Sequence, residues 1–306
     1  MKGSRTILIT GATAGIGRHA ALHLARKGHR VFATGRRQAA LDTLREEAAG
    51  TRLETLTLDV TDERSVTALA AEIDKRTDGY GVDVLVNNAG YGCFGPLEEI
   101  ADADLRRQYD TNVFGLMAVT RAFLPKMRER GYGRVINVSS VGGRMTFPFM
   151  GAYNSTKYAI ESLSDALRRE VARFGVRVVL IEPGVIKTEF ADRALDLVGG
   201  PAPTSPYADV YARSLEFNEL FQRTAVGPEH TTRAIERAIE ARWPKARYVA
   251  PYRVKFVLAL VALLPTRWTD ALIGTLTRGS PSRGGPQRPT PPSTNERRTA
   301  TELSAN

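Results

Sequence analysis

The stretch Thr10-Gly11-Ala12-Thr13-Ala14-Gly15-Ile16-Gly17 follows a short apolar run directly and opens a helical pattern. Its glycines are spaced G-x-x-x-G-x-G, which differs from the commoner G-x-G-x-x-G. Glycine permits a tight turn and lets backbone N–H groups approach a pyrophosphate, while the N-terminus of the helix supplies partial positive charge. A glycine triplet alone also fits a purely structural turn, but its place between a strand and a helix favours a nucleotide site.

The rest of the chain alternates between short runs rich in Val, Ile and Leu and helical patterns. Predicted strands cover residues 6–10, 30–34, 53–58, 82–87, 134–138, 176–181 and 247–250. Predicted helices cover 15–27, 38–48, 62–76, 102–130, 152–173 and 228–241. Such alternation indicates βαβ units and a parallel sheet covered on both faces. The sequence therefore predicts an α/β fold: one doubly wound Rossmann domain over residues 1–250, with a parallel sheet of about seven strands flanked by helices.

Two further segments follow this domain. Residues 251–277 are predicted to form an apolar and basic helical extension, and residues 278–306, rich in Pro, Ser, Thr, Gly and Arg, a disordered tail. The apolar run 256–264 follows a basic stretch, so it lies either on an anionic membrane surface or against the fold or a neighbouring subunit. Nine residues cannot span a bilayer, and we favour packing. The irregular segment 190–226 fits a lid or a structural excursion equally well.

Composition excludes several classes of function. The chain has 306 residues, 42% of them hydrophobic, and its single cysteine, Cys93, excludes an internal disulfide. Four histidines make a Cys/His metal site improbable, so no metal is predicted. Neither a signal peptide nor an apolar run of transmembrane length is seen, so a cytoplasmic location is expected.

The net charge of +10 is unevenly distributed. Residues 242–269 carry six cations and no acid, and residues 278–306 carry five arginines and two glutamates, which leaves +1 for the rest of the chain. No RNA- or DNA-binding motif accompanies these charges, so nucleic acid is not the expected partner.

The end of the second predicted strand indicates which dinucleotide binds. Gly35-Arg36-Arg37 stands where NAD-preferring sites need an acid for the ribose 2′-hydroxyl. A guanidinium instead matches a 2′-phosphate in charge and geometry. Two arginines in a surface loop are common, but with the acid missing we expect NADP rather than NAD.

A second constellation consists of Ser140, Tyr153 and Lys157. Tyrosine and lysine four residues apart share one face of a helix. An ammonium beside a phenol favours the phenolate, so Lys157 is expected to lower the pKa of Tyr153. A tyrosine tuned in this way passes a proton to or from an alcohol oxygen near neutral pH. Tyr-x-x-x-Lys alone also occurs on solvated helices, and its weight comes from the glycine motif in the same chain.

Together these motifs resemble the short-chain dehydrogenase/reductase family over about residues 5–190. The resemblance implies the fold given above and a catalytic set of Asn112, Ser140, Tyr153 and Lys157. It implies cofactor contacts from the following positions: Gly11, Thr13, Ala14, Gly15, Ile16, Gly17, Arg36, Arg37, Asp59, Val60, Asn88, Ala89, Gly90, Tyr153, Lys157, Pro183, Gly184, Ile186 and Thr188.

The resemblance also implies a role for each group. Asp59 and Val60 would contact adenine, Asn88-Ala89-Gly90 the adenosine ribose, and Thr188 the nicotinamide carboxamide. Ser140 would bond the substrate oxygen, and Tyr153 would be the general acid in reduction and the base in oxidation. Lys157 would bind the nicotinamide ribose, and Asn112 would hold a water in a proton relay with Lys157. The family usually forms dimers or tetramers through its two long helices, here 102–130 and 152–173.

The amino-acid sequence of residues 83–190 is most similar to the hydroxysteroid and retinol dehydrogenase branch. This resemblance implies a lipophilic alcohol, ketone or aldehyde as substrate. The candidate pocket residues are Tyr91, Cys93, Phe94, Met145, Phe147, Phe149, Met150 and Phe190. About half of such residues are expected simply to pack the core or an interface, and Cys93 is expected to be a packing residue. A non-catalytic NADP-binding regulator on the same fold is the rival function, and a membrane-surface protein is a third.

Overall fold

A computed structural model describes residues 3–190, 194, 201–202 and 204–277. Seven strands form one sheet: β1 Thr6–Ile9, β2 Arg30–Gly35, β3 Leu53–Thr57, β4 Val84–Asn87, β5 Gly133–Val138, β6 Val176–Pro183 and β7 Arg247–Ala250. Their order is β3-β2-β1-β4-β5-β6-β7, and every neighbouring pair is parallel. The predicted doubly wound Rossmann sheet is confirmed. The predicted tail, residues 278–306, lies outside the described residues.

Ten α-helices are described: α1 Gly15–Arg26, α2 Gln38–Glu47, α3 Glu63–Arg76, α4 Asp102–Tyr109, α5 Leu116–Glu129, α6 Gly151–Val171, α7 Ala208–Arg223, α8 Glu229–Glu240, α9 Val254–Leu263 and α10 Thr266–Thr277. Short 3-10 turns follow β5 at Val141–Gly143 and α6 at Ala172–Phe174. The single helix predicted over 102–130 is not α-helical throughout. A π-helix, Asp110–Gly115, connects α4 directly to α5.

Alternating side chains of the strands fill two cores, one on each face of the sheet. Ile7 and Ile9 of β1 point to the face covered by α1 and α8, where Ile235 is fully buried. Leu8 points to the other face, which α3 and α5 cover with side chains such as Ile73. Each fully buried aliphatic side chain contributes about 1.5–3 kcal/mol, so these layers fix the register of the sheet.

The strand order places the functional motifs together. The chain runs outward from β1 to β3 and then returns to the other side of β1 at β4. Ligands of open α/β sheets bind outside the carboxyl ends of the strands at such a switch point. The glycine turn follows β1, Asn88 follows β4 and Ser140 lies two residues after β5, so all three meet at this edge.

The last two helices lie beyond the edge strand β7. In α9 only Leu258 is buried, while Phe256, Leu260 and Leu263 are exposed. Helix α9 thus rests on the fold along one side only, and the packing of its exposed side stays a prediction. No helix of the described residues is both long enough and apolar enough to cross a membrane.

Candidate functional site

The glycine turn is shaped by close backbone packing. Gly11 has φ +64°, and a Cβ there would lie 2.7 Å from the Cα of Ala89. A Cβ on Gly17 would lie 2.4 Å from the carbonyl oxygen of Gly11. Since such contacts exclude any larger side chain, the turn can press against the start of the β4 loop. The spacing of the motif therefore reflects this packing as well as access for a ligand.

The loop after β4 is tied to the same turn. The side-chain amide of Asn88 donates to the carbonyl oxygens of Thr10 and Gly11, both at 3.0 Å. The Thr10 hydroxyl accepts from the backbone N–H groups of Asn88 and Ala89, both at 3.0 Å. The role of Thr10 as an anchor was missed in the sequence, although a threonine at the end of a strand beside a glycine turn is a signal for it.

A cavity of about 600 Å³ opens on the glycine turn. Its wall includes Thr13, Ala14 and Gly15 of the turn, and Thr188 on the opposite side. The cavity also carries several cationic side chains: Arg18, Arg26, Arg37 and Lys187, with Glu189 as the acid. Arg18 and Lys187 were not among the predicted site residues. Bare backbone at the turn and cations around it fit the phosphates of a dinucleotide.

Arg36 lies on the other side of this region, close to Asp59. Burial opposes ionisation of Asp59, but hydrogen bonds from Thr61 and the charge of Arg36 hold the pKa of this carboxyl below its usual range. One carboxylate oxygen accepts from the N–H and the hydroxyl of Thr61, at 2.9 and 2.7 Å. Asp59 therefore closes its own turn as well as facing the site. Val60 is buried beneath Gly115, where a Cβ would lie 2.7 Å from the valine side chain.

The segment after β6 closes the site from above. Gly184 donates its N–H to Ala250 at 2.8 Å, and Ile186 forms a bridge with Val226. A Cβ on Gly15 would lie 3.3 Å from the Thr188 methyl group. The predicted residues from Pro183 to Thr188 are therefore held above the glycine turn.

Ser140, Tyr153 and Lys157 come together as predicted. Helix α6 positions Tyr153 and Lys157 one turn apart, and the Lys157 ammonium lies 5.6 Å from the Tyr153 ring centroid. The ammonium donates to the carbonyl oxygen of Val138 at 3.0 Å. Ser140 follows β5 and forms a hydrogen bond with Tyr153. A hydroxyl pair beside a lysine can bind a substrate oxygen and transfer a proton to it.

The pKa of Tyr153 departs from the sequence-based expectation. Burial raises the pKa of Tyr153 to about 12, and the hydrogen bond with Ser140 offsets this only in part. Burial also lowers the pKa of Lys157 to about 8, against the opposing charge of Glu161. The expected lowering of the tyrosine pKa is wrong for this structure, because water is excluded from both groups and desolvation disfavours each charged form.

Asn112 lies in the π-helix, close to the lysine. Its side-chain oxygen accepts from the N–H of Tyr91 at 3.1 Å, and its amide donates to the Tyr91 carbonyl and the Thr156 hydroxyl at 3.0 Å each. A Cβ on Gly90 would lie 3.0 Å from the Asn112 oxygen and 3.9 Å from the Lys157 nitrogen. Asn112 therefore holds the Tyr91 backbone beside the lysine, and its predicted role in a water relay remains a prediction.

Apolar side chains cover Tyr153. The rings of Phe94 and Phe190 lie 5.8 and 5.3 Å from the Tyr153 ring, and Met150 and Ala194 complete the cluster. Three of the eight predicted pocket residues thus surround the tyrosine.

Two of the other predicted pocket residues make different contacts. Phe149 packs against Tyr211 of α7, with ring centroids 5.3 Å apart. Cys93 belongs to a separate small cluster with Ile100 and Ala152. The expectation that Cys93 is a packing residue is confirmed.

A buried charge cluster behind the site was missed in the sequence. Glu161, one turn beyond Lys157 in α6, accepts from the Nε atom of Arg247 at 3.0 Å, and Glu182 of β6 forms an ion pair with the same atom at 3.2 Å. Arg144 also reaches Glu182, at 3.4 Å. Only the position of Glu161 four residues after Lys157 signals this arrangement.

Comparison with known proteins identifies the family. A family model described as short chain dehydrogenase matches residues 5–196. The chain is 36% identical over 273 residues to the NADPH-dependent 3-dehydrocapnine reductase of Ornithobacterium rhinotracheale, covering 88% of this chain and 95% of that protein. It is 36% identical over 250 residues to the 3-ketodihydrosphingosine reductase of Bacteroides thetaiotaomicron, covering 81% of this chain and 86% of that protein. It is 34% identical over 275 residues to bovine (Bos taurus) retinol dehydrogenase 8, covering 86% of each protein.

Solved structures agree. A short-chain dehydrogenase from Streptomyces avermitilis matches with a TM-score of 0.74 and 33% identity, covering 91% of this chain and 99% of that one. A variant of the actinorhodin polyketide ketoreductase with NADPH matches with a TM-score of 0.68 and 30% identity, covering 82% of this chain and 96% of that one. A short chain dehydrogenase/reductase from Burkholderia phymatum in complex with NAD matches with a TM-score of 0.73 and 26% identity, covering 92% of this chain and 99% of that one.

The chain belongs to the short-chain dehydrogenase family. It is an oxidoreductase that acts on CH–OH or carbonyl groups with a nicotinamide cofactor. The predicted likeness to retinol dehydrogenases is confirmed.

Proposed function

We propose that this protein is an NADP-dependent oxidoreductase that interconverts a lipophilic alcohol with its ketone or aldehyde. The observation that carries the proposal is the position of Tyr153, which lies between Ser140 and Lys157 on one side and an apolar cover on the other. A proton donor in an apolar pocket suits a carbonyl group on a bulky hydrocarbon.

When bound, the nicotinamide cofactor supplies the hydride in reduction or accepts it in oxidation. In reduction the Ser140 hydroxyl donates a hydrogen bond to the carbonyl oxygen, and the Tyr153 hydroxyl gives that oxygen its proton. The charged form of Lys157 stabilises the developing phenolate. The apolar cover of Phe94 and Phe190 excludes water, which strengthens each of these interactions.

The arginines after β2 support NADP over NAD. Arg36 and Arg37 are exposed at the mouth of the site, and Arg37 lines the cavity beside the glycine turn. The stretch has no acid to bond a ribose 2′-hydroxyl. Cavity residue Lys187 adds charge for the phosphates, while Arg18 also pairs with Glu47. Of the similar proteins reported above, two are named with NADPH and one with NAD, so the arginines carry this choice.

The apolar cover supports a lipophilic substrate. Met150, Ala194 and the rings of Phe94 and Phe190 pack around the ring of Tyr153. The names of similar proteins include 3-ketodihydrosphingosine and retinol as substrates. Long hydrocarbon chains of this kind fit an apolar pocket with few polar groups.

The first test measures NADPH consumption with 3-ketodihydrosphingosine, retinal, steroid ketones and small aromatic ketones. Tyr153→Phe keeps the buried ring but removes the proton donor, so kcat should fall by about 10²–10⁴-fold while NADPH binding persists. Turnover that survives this substitution would contradict the assigned role of Tyr153. Tight NADPH binding without turnover of any substrate favours the rival function, a non-catalytic NADP-binding regulator.

The second test concerns cofactor choice. Loss of a charge-assisted hydrogen bond costs about 1.5–3 kcal/mol, so Arg36→Ala with Arg37→Ala should lower kcat/KM for NADPH at least tenfold and leave that for NADH nearly unchanged. Arg45→Ala on α2 is the matched control, because Arg45 is an exposed arginine that pairs with Asp42 on its own helix. Equal losses with both cofactors would overturn the assignment of Arg36 and Arg37.

A further inference from the structure

Helices α9 and α10 present an unusually apolar surface to solvent. We define the C-terminal apolar face as Tyr252, Phe256, Leu260, Leu263, Trp268 and Leu272. All six are exposed, Leu263 by 83% and Phe256 by 67%. Phe256, Leu260 and Leu263 are spaced by four and three residues, so they share one face of α9. A surface with this many exposed large apolar side chains marks an interaction site.

A basic groove adjoins this face. The groove, of about 860 Å³, lies between β7, α8 and α9, and Lys255 and Leu258 of α9 form part of its wall. Its cationic and titratable side chains are Arg144, His230, Arg233, Arg237, Lys245, Arg247 and Lys255, and its acids are Glu182 and Glu240. Glu182 is already paired with Arg144 and Arg247. The groove therefore keeps an excess of positive charge next to the apolar face.

We propose that the C-terminal apolar face docks on an anionic lipid bilayer. Residues 242–269 hold six cations and no acid, which complements the negative surface of such a bilayer. Phe256, Leu260 and Leu263 enter the acyl boundary, while Tyr252 and Trp268 suit the interface because their rings are apolar and carry one polar group. Arg253 and Lys255 flank the apolar stripe, so they reach headgroup phosphates at the same time.

Charge argues against a second copy of the chain as the occupant. A two-fold pairing through this face would bring the same cations of both copies together. The chain after residue 277 is equally unsuited to cover the face. It contains five arginines and two glutamates, and Leu303 is its only large aliphatic or aromatic residue. These added cations instead increase the attraction to an anionic surface.

The face is connected to the candidate active site. Helix α10 contacts α7, and Tyr211 of α7 packs against Phe149, two residues before α6 begins. A docked molecule would therefore hold the apolar approach to Tyr153 near the bilayer, where a lipophilic substrate is concentrated. Only this consequence rests on the proposed function; docking itself is tested without turnover.

The experiment is co-sedimentation of the full-length protein with vesicles of phosphatidylcholine alone or with added phosphatidylglycerol. We expect binding to the anionic vesicles only, weakened by salt. Arg253→Gln with Lys255→Gln should weaken binding roughly thirtyfold, at about 1 kcal/mol per cation, and Phe256→Glu with Leu263→Glu should abolish it. Leu97→Glu, which places an acid at another exposed leucine, is the control and should bind as the parent does.

Three outcomes would overturn the proposal. They are no binding to anionic vesicles, equal binding to neutral ones, and binding that the variants of the apolar face do not change. A second copy covers the face instead if two results are found together. The parent protein does not bind vesicles, and sedimentation velocity shows that Phe256→Glu with Leu263→Glu dissociates a dimer. If the parent protein binds anionic vesicles but turns over no substrate with NADPH, the proposed function is rejected and the docking proposal stands.

Discussion

Tyr153 and Lys157 have pKa values displaced in opposite directions by one cause. Burial raises the pKa of Tyr153 to about 12 and lowers that of Lys157 to about 8. The tyrosine therefore keeps its proton throughout the range in which the lysine changes charge. This order makes Lys157 the group that sets the pH dependence of carbonyl reduction.

We expect kcat/KM for NADPH in the reduction direction to be constant below about pH 8 and to fall above it. A lysine with a lowered pKa is charged below that pKa and neutral above it, and only the charged form stabilises the developing phenolate. Because kcat/KM reports the free enzyme, a pH profile measured with saturating ketone tests this directly. A plateau that continues to pH 10 would contradict the assignment to Lys157.

Glu161→Gln should move this break to lower pH. The negative charge of Glu161 raises the pKa of Lys157 against the effect of burial, so its removal lets that pKa fall. The amide keeps the size of the buried side chain. Glu170→Gln, an exposed acid on the same helix, is the control and should leave the profile unchanged. An unmoved break in Glu161→Gln would show that Glu161 is already neutral in the working pH range.

At this scale the sequence predicts which groups meet but not their protonation. Ser140, Tyr153 and Lys157 could be found from their types and spacing. The raised pKa of Tyr153 could not, because it depends on the rings of Phe94 and Phe190, which come from separate segments of the chain. Desolvation is a property of the assembled surroundings and leaves no local mark in the sequence.

Among the elements, β7 is joined to β6 by backbone hydrogen bonds and to both α6 and β6 by charge. Arg247 of β7 reaches Glu161, Asp165 and Glu182, at 3.0, 2.9 and 3.2 Å. Glu182 is only 1% exposed, and burial raises the pKa of both glutamates while Arg247 and Arg144 oppose that rise. The edge strand therefore neutralises acids that lie behind the candidate active site.

Arg247→Met should destabilise the fold by about 3 kcal/mol at pH 8, because it leaves buried carboxylates without their cation. The value lies at the low end for a buried pair since Arg247 itself is partly exposed. Because burial raises the pKa of both glutamates in the folded protein, they take up protons as pH falls, so the loss should be smaller at pH 5 than at pH 8. Urea unfolding at both pH values measures this.

Arg76→Met provides the control for that measurement. Arg76 also pairs with two glutamates, Glu54 and Glu72, but at the surface, so its loss should cost less than about 1 kcal/mol. Equal losses in the two variants would mean that burial adds nothing to the Arg247 cluster.

The helix predicted over 102–130 has a feature that the periodicity of its sequence does not reveal. Its periodicity predicts a continuous helix, and the backbone does continue, but a π-helix widens it at Asp110–Gly115. The cause lies in partners distant in sequence: Asn112 bonds the backbone of Tyr91, and Gly115 packs on Val60. Such π segments cluster at functional sites.

For the whole molecule, the sheet could be predicted because its central strands, such as β4 and β5, are buried on both faces and read as short apolar runs. The position of α9 could not. An apolar run of nine residues fits a covered helix and an exposed one equally well, and only the assembled fold shows that Leu258 alone is buried in α9. The C-terminal apolar face thus exists only at the level of the complete structure.

We also predict that the protein forms a homodimer or homotetramer through the surface of α5 and α6. Phe114, in the π-helix before α5, and Tyr158 of α6 are 60% and 44% exposed, and burying such aromatic rings favours association. Phe114→Arg with Tyr158→Arg should place a charge in that interface and yield monomers in sedimentation velocity. Leu97→Arg adds a cation at an exposed leucine outside these helices and should leave the assembly intact. A parent protein that is already monomeric would reject the interface, whereas an assembly that dissociates only when Phe256 is replaced would place it on the C-terminal apolar face.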